Sequence, residues 1–453
     1  MMMRLSDLCR IVDGELKGDD VPFHAVSIDT RSLRGGDLFV ALKGERFDAN
    51  EFIEQAERAG AAAALVERQT ASGLPQAVVA DTRLALGRLG RAWRRRCSVA
   101  VIGVTGSNGK TTVKEMLAAV LGLHDPVLFT QGNLNNELGV PLTLLGLRPE
   151  HRYAVVEMGA NHPGEIAYTS RLAQPDVALI TNAGAAHLEG FGSIEGVARA
   201  KGELLGTLGE GGTAVLNTDD AFLHLWKQLA GKRRVITFGF SSRADVRAVA
   251  IEPTRLAGSF HTCFSVEYES LRWSINLALA GRHNVCNALA ATAGSLALGL
   301  EMEQIQAGLA AVRPVPGRMQ SVTGPQGSVL INDSYNANPT SFEAALDVLV
   351  ALDGEPWVIM GALGELGEES SELHARVGRM AKEKGVVRLF ATGPDADQAV
   401  TTFGKGAAFF SQPSDLARAV RKIIHKDVVA LVKGSRSQRL EQVIDALTTE
   451  QAA

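Results

Sequence analysis

Short apolar runs alternate with stretches of helical periodicity along most of this chain, in three sections. In the first, strand-like runs lead to a helix expected over Asn50–Gly60 and an apolar strand over Ala61–Glu67. Leu84, Leu86, Leu89 and Trp93 then fall near helical spacing, which predicts a connecting helix over Asp81–Arg96. The second section opens on Val99-Ala100-Val101-Ile102, a buried strand. Further strands are expected at Tyr153–Met158, Val177–Thr181, Ala214–Asn217 and Val235–Phe238, most of them separated by helical stretches. That alternation argues for a mainly parallel sheet covered by helices. Phe260–Leu279 alternates more strictly and reads as antiparallel. Prolines in Arg313-Pro314-Val315-Pro316-Gly317 break regular structure and mark a third section. Strands are expected there at Ser328–Asn332, Trp357–Met360, Val387–Ala391 and Val428–Val432, with helices between, as in a smaller doubly wound domain. One helix, Glu372–Lys384, carries Leu373, Val377 and Met380 on one face and stops at Gly385, suited to the C′ position.

The expectation is therefore an α/β chain of three domains: 1–82, 83–313 (with 83–97 as its connecting helix) and 314–453. The length of 453 residues exceeds one ordinary core, and 46% apolar with 21% charged residues is ordinary globular composition. With 46 basic and 50 acidic residues, the net charge of −4 gives no footprint for nucleic acid or a membrane surface. The run Arg94-Arg95-Arg96 reads as the solvated basic end of a helix. Cys9, Cys97, Cys263 and Cys286 form no CxxC pair, which argues against a zinc or redox motif and suits free thiols in a reducing cytosol. Met1–Leu16 lacks the apolar core of a signal peptide, and no window reaches the roughly 18 apolar residues of a membrane span. A soluble, cytoplasmic protein without membrane insertion is expected. No long unexplained apolar stripe is evident, which favours a monomer.

Chemistry concentrates at Gly103-Val104-Thr105-Gly106-Ser107-Asn108-Gly109-Lys110-Thr111-Thr112, between a strand and a helix whose apolar face is Val113, Met116, Leu117, Val120 and Leu121. Glycines let the backbone turn tightly and gather N–H groups at the positive end of the helix, so phosphate binds there. Lys110 can reach the β- and γ-phosphates, and the Thr111 hydroxyl can ligate Mg²⁺. Thr105 to Thr112 are the candidate nucleotide residues. The common P-loop spacing would put its first glycine where Val104 stands, and the loop alone leaves motor, kinase, switch and ligase open.

More specific are Gly132-Asn133-Leu134-Asn135-Asn136-Glu137-Leu138-Gly139-Val140-Pro141, Glu157-Met158-Gly159-Ala160 and Ala186-His187-Leu188-Glu189-Gly190-Phe191-Gly192-Ser193. With a loop of the form TG(S/T)xGKT, which accounts for the displaced glycine, they resemble the Mur ligase family of peptidoglycan synthesis over essentially the whole chain. The resemblance implies an N-terminal UDP-sugar-binding α/β domain, a central P-loop ATPase domain and a C-terminal Rossmann-like domain. The Glu-Met-Gly-Ala and Ala-His-Leu-Glu forms favour the branch that joins D-alanyl-D-alanine to UDP-N-acetylmuramoyl tripeptide, using ATP and two Mg²⁺ ions, through an acyl phosphate. Diaminopimelate and lysine both stay open at the third peptide position.

Residue by residue, Glu157 ends an apolar strand beside the phosphate loop, a place suited to Mg²⁺ or to a solvated strand-end acid, and the resemblance favours the metal. The resemblance assigns His187 to the metal region. It also implies that Lys201, by itself readable as an exposed helix lysine, is carbamylated and holds a second Mg²⁺. Gly281-Arg282-His283-Asn284-Val285-Cys286-Asn287 resembles the family's HNxxN segment, which brings Asn284 and Asn287 to ATP; an N-cap is the alternative for Asn284. Arg318, Asp333 and Tyr335 are implied at the nucleotide and reaction centre. Lys433-Gly434-Ser435-Arg436 is similar to a C-terminal KGSR element, with Lys433 catalytic and Arg436 binding a carboxylate or phosphate. Asn133, Asn135, Asn136, Asn336 and Asn338 are expected to face substrate. Thr30, Arg31, Lys43, Gly44 and Asp48 fall in segments that resemble the UDP-sugar domain. The resemblance further implies UDP, ATP and the dipeptide on the three domains in turn, with closure completing the site. The alternatives are another amino-acid-adding ligase of the family, a folate polyglutamate ligase, against which the N-terminal segment argues, and a non-ligating nucleotide-dependent binding protein.

Overall fold

Three large sheets, beside a two-stranded pair near the N-terminus, carry the fold in the computed structural model, which describes residues 1–44, 48–185, 187–256 and 259–449. The largest has nine strands in the order Leu271–Leu277, Ser259–Tyr268, Val246–Leu256, Arg234–Gly239, Thr213–Asn217, Val177–Ile180, Ala100–Thr105, Tyr153–Glu157 and Val127–Phe129. From Val127–Phe129 to Val246–Leu256 every neighbouring pair is parallel. The last two pairings are antiparallel, as the strict alternation of Phe260–Leu279 predicts.

Side chains of a strand point alternately to the two faces, so each central strand feeds two cores. Ile102, Val104, Val155 and Leu179 pack with Val113, Met116 and Leu117 of the helix Lys110–Leu121. Val101, Ala154, Val156, Ala178 and Ile180 pack on the opposite face against Ile166, Leu172 and Val197. Strands covered on both faces read as unbroken apolar runs, which is why they stand out in the sequence. The helix Arg282–Ala297 has no such signature. It is buried nearly all round, so alanines and Gly294 replace a polar face, and Gly294 lies against Leu117 and Leu179.

The C-terminal sheet has six strands in the order Gln320–Thr323, Val329–Asp333, Val428–Lys433, Glu355–Gly361, Arg388–Thr392 and Ala407–Phe410, parallel except for the first pair. Apolar cores lie on both of its faces. The N-terminal sheet has five strands, and Ala85, Leu86 and Leu89 of the helix Thr82–Arg94 join its core. Asp81 starts that helix by accepting from the Arg83 and Leu84 amides.

Two local expectations change. Arg94 is not a solvated helix end: its guanidinium donates to the carbonyls of Ala173, Cys97 and Gln174 at 2.9, 3.1 and 3.3 Å. Those acceptors include the open C-terminus of the helix Glu165–Ala173, where a cation is favoured. The helix expected over Asn50–Gly60 begins as a 3₁₀ turn, Ala49–Phe52, because the Asp48 side chain accepts the Asn50 amide and fixes the entry; the α-helix proper is Ile53–Arg58. Among the described residues, no helix is long and apolar enough to cross a membrane.

His374, wholly buried, holds the segment after the strand Glu355–Gly361: Nε2 accepts the Leu363 amide at 2.9 Å, and Nδ1 donates to the Ser370 carbonyl at 2.7 Å. Burial pushes its pKa below the usual 6.5. The unfolded chain then takes up a proton that the folded ring refuses, so this part of the stability is whole above about 6.5 and is lost as pH falls. His374→Gln should be less stable at pH of about 7.5, yet lose less stability on acidification to about 5.5. Urea midpoints of both proteins across that range check this; parallel pH curves would refute it.

Candidate active site

The strands Ala100–Thr105, Tyr153–Glu157 and Val177–Ile180 end at one edge of the parallel sheet, and the loops beyond them build the site. After Thr105 the chain turns through Gly106 (φ +145°) and Gly109 (φ +83°) into the helix that starts at Lys110. A Cβ on Gly109 would sit 2.3 Å from Asn287 Oδ1, and one on Gly106 would sit 1.9 Å from Thr181 Oγ1. The neighbouring loop clasps the turn. Ser107 N–H donates to the Asn182 carbonyl at 3.0 Å, and Asn108 N–H to Asn182 Oδ1 at 2.9 Å. Thr181 Oγ1 donates to the Asn108 carbonyl at 2.6 Å, and Gly184 N–H to Ser107 Oγ at 2.9 Å. Lys110 Nζ donates back to the Gly106 carbonyl at 2.6 Å. Burial holds its pKa below the usual lysine range; Arg318 adds to this, and Glu157 opposes it.

Glu157 is buried at the strand end. Its Oε1 accepts from Asn135 Nδ2 at 2.8 Å, while Oε2 is buried with no partner. An unpaired buried carboxylate oxygen is costly in a protein interior, and a cation would relieve it. Among the described residues no three His, Cys, Asp or Glu side chains converge as a ready metal cage. The lone carboxylate of Glu157 suits Mg²⁺, which keeps waters and takes phosphate oxygens alongside one or two protein ligands. Lys201 is not an exposed helix lysine. It is 1% exposed on Ile194–Gly202, its ammonium 5.5 Å from the centre of the Phe191 ring. Burial, helped by Lys110, brings its pKa down to about 7 against the pull of Glu165 and Glu203. His187 has a left-handed backbone (φ +54°), and its Nδ1 meets the Glu365 carboxylate of the C-terminal domain. Ala186, first residue of that motif, lies outside the described residues.

The C-terminal domain supplies the facing wall. Arg318 reaches across to donate to Thr111 Oγ1 at 2.9 Å and stacks on Tyr335, whose ring centre is 4.2 Å from the guanidinium; Arg436 lies 5.6 Å from the same ring. Lys433 Nζ pairs with Asp333 at 2.5 Å and donates to the Asn336 carbonyl at 3.1 Å. Asn338 Nδ2 donates to Asn108 Oδ1 at 2.8 Å.

These groups enclose a cavity of about 1270 Å³. It is lined by Ser107 to Thr112, Asn133, Asn135, Asn136, Glu157, His187, Asn284, Asn287, Arg318, Asp333, Tyr335, Asn336, Asn338, Lys433 and Arg436. Thr105, Gly106 and Lys201 do not line it. Thr30, Arg31, Lys43, Gly44 and Asp48 do not line it; they belong to the N-terminal domain. There Arg31 is paired with Asp29, holding that carboxyl down at about 2, and Asp48 is paired with Arg68. Three asparagines have structural work as well. Asn136 Oδ1 accepts the Gly139 amide at the start of a helix, and Asn338 caps Pro339–Val350. Asn284 is not an N-cap, because Gly281 holds that position; its Nδ2 donates to the Ala280 carbonyl and its Oδ1 accepts from Asn287. Sequence reasoning passed over Thr181, Asn182 and Glu365. Nothing local marks them, since their partners lie far along the chain.

A phosphate loop at the carboxyl edge of a parallel sheet, walled by a second α/β domain, defines a nucleoside-triphosphate-binding enzyme. The chain matches the Mur ligase family, catalytic domain, over residues 22–94, the Mur ligase middle domain over 104–294, and the Mur ligase glutamate ligase domain over 317–436. It is 45% identical to the UDP-N-acetylmuramoyl-tripeptide–D-alanyl-D-alanine ligase of Escherichia coli K12, over 98% of each chain. Among solved structures it is similar to MurF from Acinetobacter baumannii, with TM-score 0.92 and 38% identity over 98% of each chain. It is also similar to the MurF ligase of Thermotoga maritima in complex with ADP, with TM-score 0.83 and 30% identity over 94% of this chain and 97% of that one. The chain belongs to the Mur ligase family. It is an ATP-dependent ligase.

Gly109→Ala should weaken ADP binding about tenfold or more, since left-handed strain of roughly 1–2 kcal/mol adds to the collision with Asn287. Titration calorimetry with ADP measures this. Wild-type affinity would mean that the loop tolerates a Cβ there.

Proposed function

We propose that this ligase joins D-alanyl-D-alanine to UDP-N-acetylmuramoyl tripeptide, in the cytoplasm, as a monomer. The carrying observation is the cavity: the phosphate loop on one wall, Arg318, Lys433 and Arg436 on the other, in a chain 45% identical from end to end to a ligase of that name. Such facing cations suit a reaction in which negative charge gathers between two domains.

In the first step a carboxylate oxygen of the tripeptide attacks the γ-phosphorus of ATP. The bond to the β–γ bridging oxygen breaks and ADP leaves, giving an acyl phosphate. The dipeptide amine then attacks the acyl carbon; the carbon–oxygen bond to phosphate breaks, the amine gives up a proton, and phosphate departs. Lys110 turns from the Gly106 carbonyl to the phosphates and offsets their charge. Arg318, steadied on Tyr335, lies across the phosphate loop, and Lys433, fixed by Asp333, faces the transferred group. The N-terminal domain, with Thr30, Arg31, Lys43, Gly44 and Asp48, takes the UDP end, and Asn133, Asn135, Asn136 and Asn336 face the peptide. Convergence of three substrates makes positioning the main contribution, and domain closure completes it.

Glu157 and Thr111 would hold Mg²⁺, with His187 and Lys201 beside a second ion; bound there, the ions would screen the carboxylate from the polyphosphate. The unpaired Oε2 of Glu157 supports the first assignment. The support for Lys201 is its burial, with a pKa brought down to about 7. Near neutrality much of it is the free amine. That amine can attack CO₂, forming an N–C bond and releasing a proton, which leaves a carbamate anion.

Phosphate release with purified UDP-muramoyl tripeptide and a panel of amino acids and dipeptides tests the reaction. Stimulation by D-alanyl-D-alanine is expected, and its absence would sink the proposal. Lys201→Ala should lose activity by about 100-fold and regain part of it with added formate or acetate. An unchanged rate would remove Lys201 from the site.

A further inference from the structure

Lys114 is 1% exposed, one helical turn beyond Lys110, and nothing in the reaction above uses it. Its ammonium donates to the Thr130 carbonyl at 2.6 Å, pairs with Glu115 at 3.0 Å, and lies 5.7 Å from the centre of the Phe129 ring. A buried ammonium must be desolvated, and an apolar side chain of similar volume would fill the same space without that cost. The partners show what it holds.

The strand Val127–Phe129 is a three-residue edge of the central sheet, and its pairing stops where Phe129 meets Val155. Past that point the chain peels away, and Thr130 N–H makes a last bond to the Val155 carbonyl at 3.1 Å. The Glu157 amide has no strand backbone left to donate to on this side. It donates instead to Thr130 Oγ1, at 3.0 Å. Thr130, wholly buried, is thus clamped at both ends: its carbonyl by Lys114, its hydroxyl by the backbone of Glu157. We infer that Lys114 is a positioning residue, which through Thr130 sets the backbone of Glu157 and so aims the carboxylate whose Oε2 would hold a cation beside the phosphate loop. Because Lys110 and Lys114 share one helix, the loop and the carboxylate are fixed to a common support. The inference rests on the reading that Glu157 holds a cation.

Mn²⁺ is the probe, its binding followed by electron paramagnetic resonance on the full-length enzyme with a non-hydrolysable ATP analogue. Lys114→Met and Thr130→Val should each weaken the enzyme-bound Mn²⁺ about tenfold, as loss of a partner behind a metal ligand does. The double variant should be no worse than either alone, because both cut one chain of contacts. Thr130→Ser, which keeps the hydroxyl, should bind as the wild type does. Lys114→Met removes the buried charge but leaves the Thr130 carbonyl without its donor, so its unfolding temperature should fall modestly; should that variant not fold, Thr130→Val and Thr130→Ser decide the matter. Glu157→Gln separates two failures. If it weakens Mn²⁺ while Lys114→Met and Thr130→Val do not, the positioning role is overturned and the reading of Glu157 stands. If it leaves Mn²⁺ unchanged, that reading falls and takes the inference with it.

Discussion

The site depends on strand direction. Because Ala100–Thr105, Tyr153–Glu157 and Val177–Ile180 run parallel in near-level register, Thr105, Glu157 and Ile180 end side by side. The phosphate loop, the buried carboxylate and the Thr181–Gly184 clasp then emerge from one edge with no further search. Reversing any one strand would send its loop to the far side of the sheet.

A second layer of order comes from polar groups in an apolar setting. Asn182 accepts the Asn108 amide, Thr130 accepts the Glu157 amide and Asn135 donates to Glu157 Oε1, so losing any of these side chains strands a donor or acceptor in the interior. Such networks are brittle to change and stiff when intact. The stiffness suits a loop that must present its amides to phosphate without rearranging. Glu157 Oε2 is left out of the network, and the carboxylate is thereby kept available.

The parallel sheets were legible because strands buried on both faces leave continuous apolar runs, and the phosphate loop because glycines and a lysine must stand at set spacing. The helix Arg282–Ala297 was not, since burial all round erases the amphipathic period on which such readings depend. Glu157, His187, Lys201 and Lys433 were found through motif resemblance; no local pattern separates a buried lysine from a solvated one. Burial was likewise hidden at Arg94, whose basic neighbours suggested a wet helix end. Glu365 and Asn182 carry no short-range mark at all, because what makes them matter is a partner brought up by tertiary structure.

The bonds from Arg318 to Thr111 and from Asn338 to Asn108 join residues 207 and 230 positions apart. The order of synthesis therefore matters. A ribosome that has just released the phosphate loop has made a sequence able to close its sheet and start its helix. It has not yet made the two side chains that reach the loop from the other domain. The outer wall of the site thus forms last, when the C-terminal sheet docks, and long-range contacts of this sort are the slow ones to form. A nascent or truncated chain would carry the phosphate loop without its outer wall.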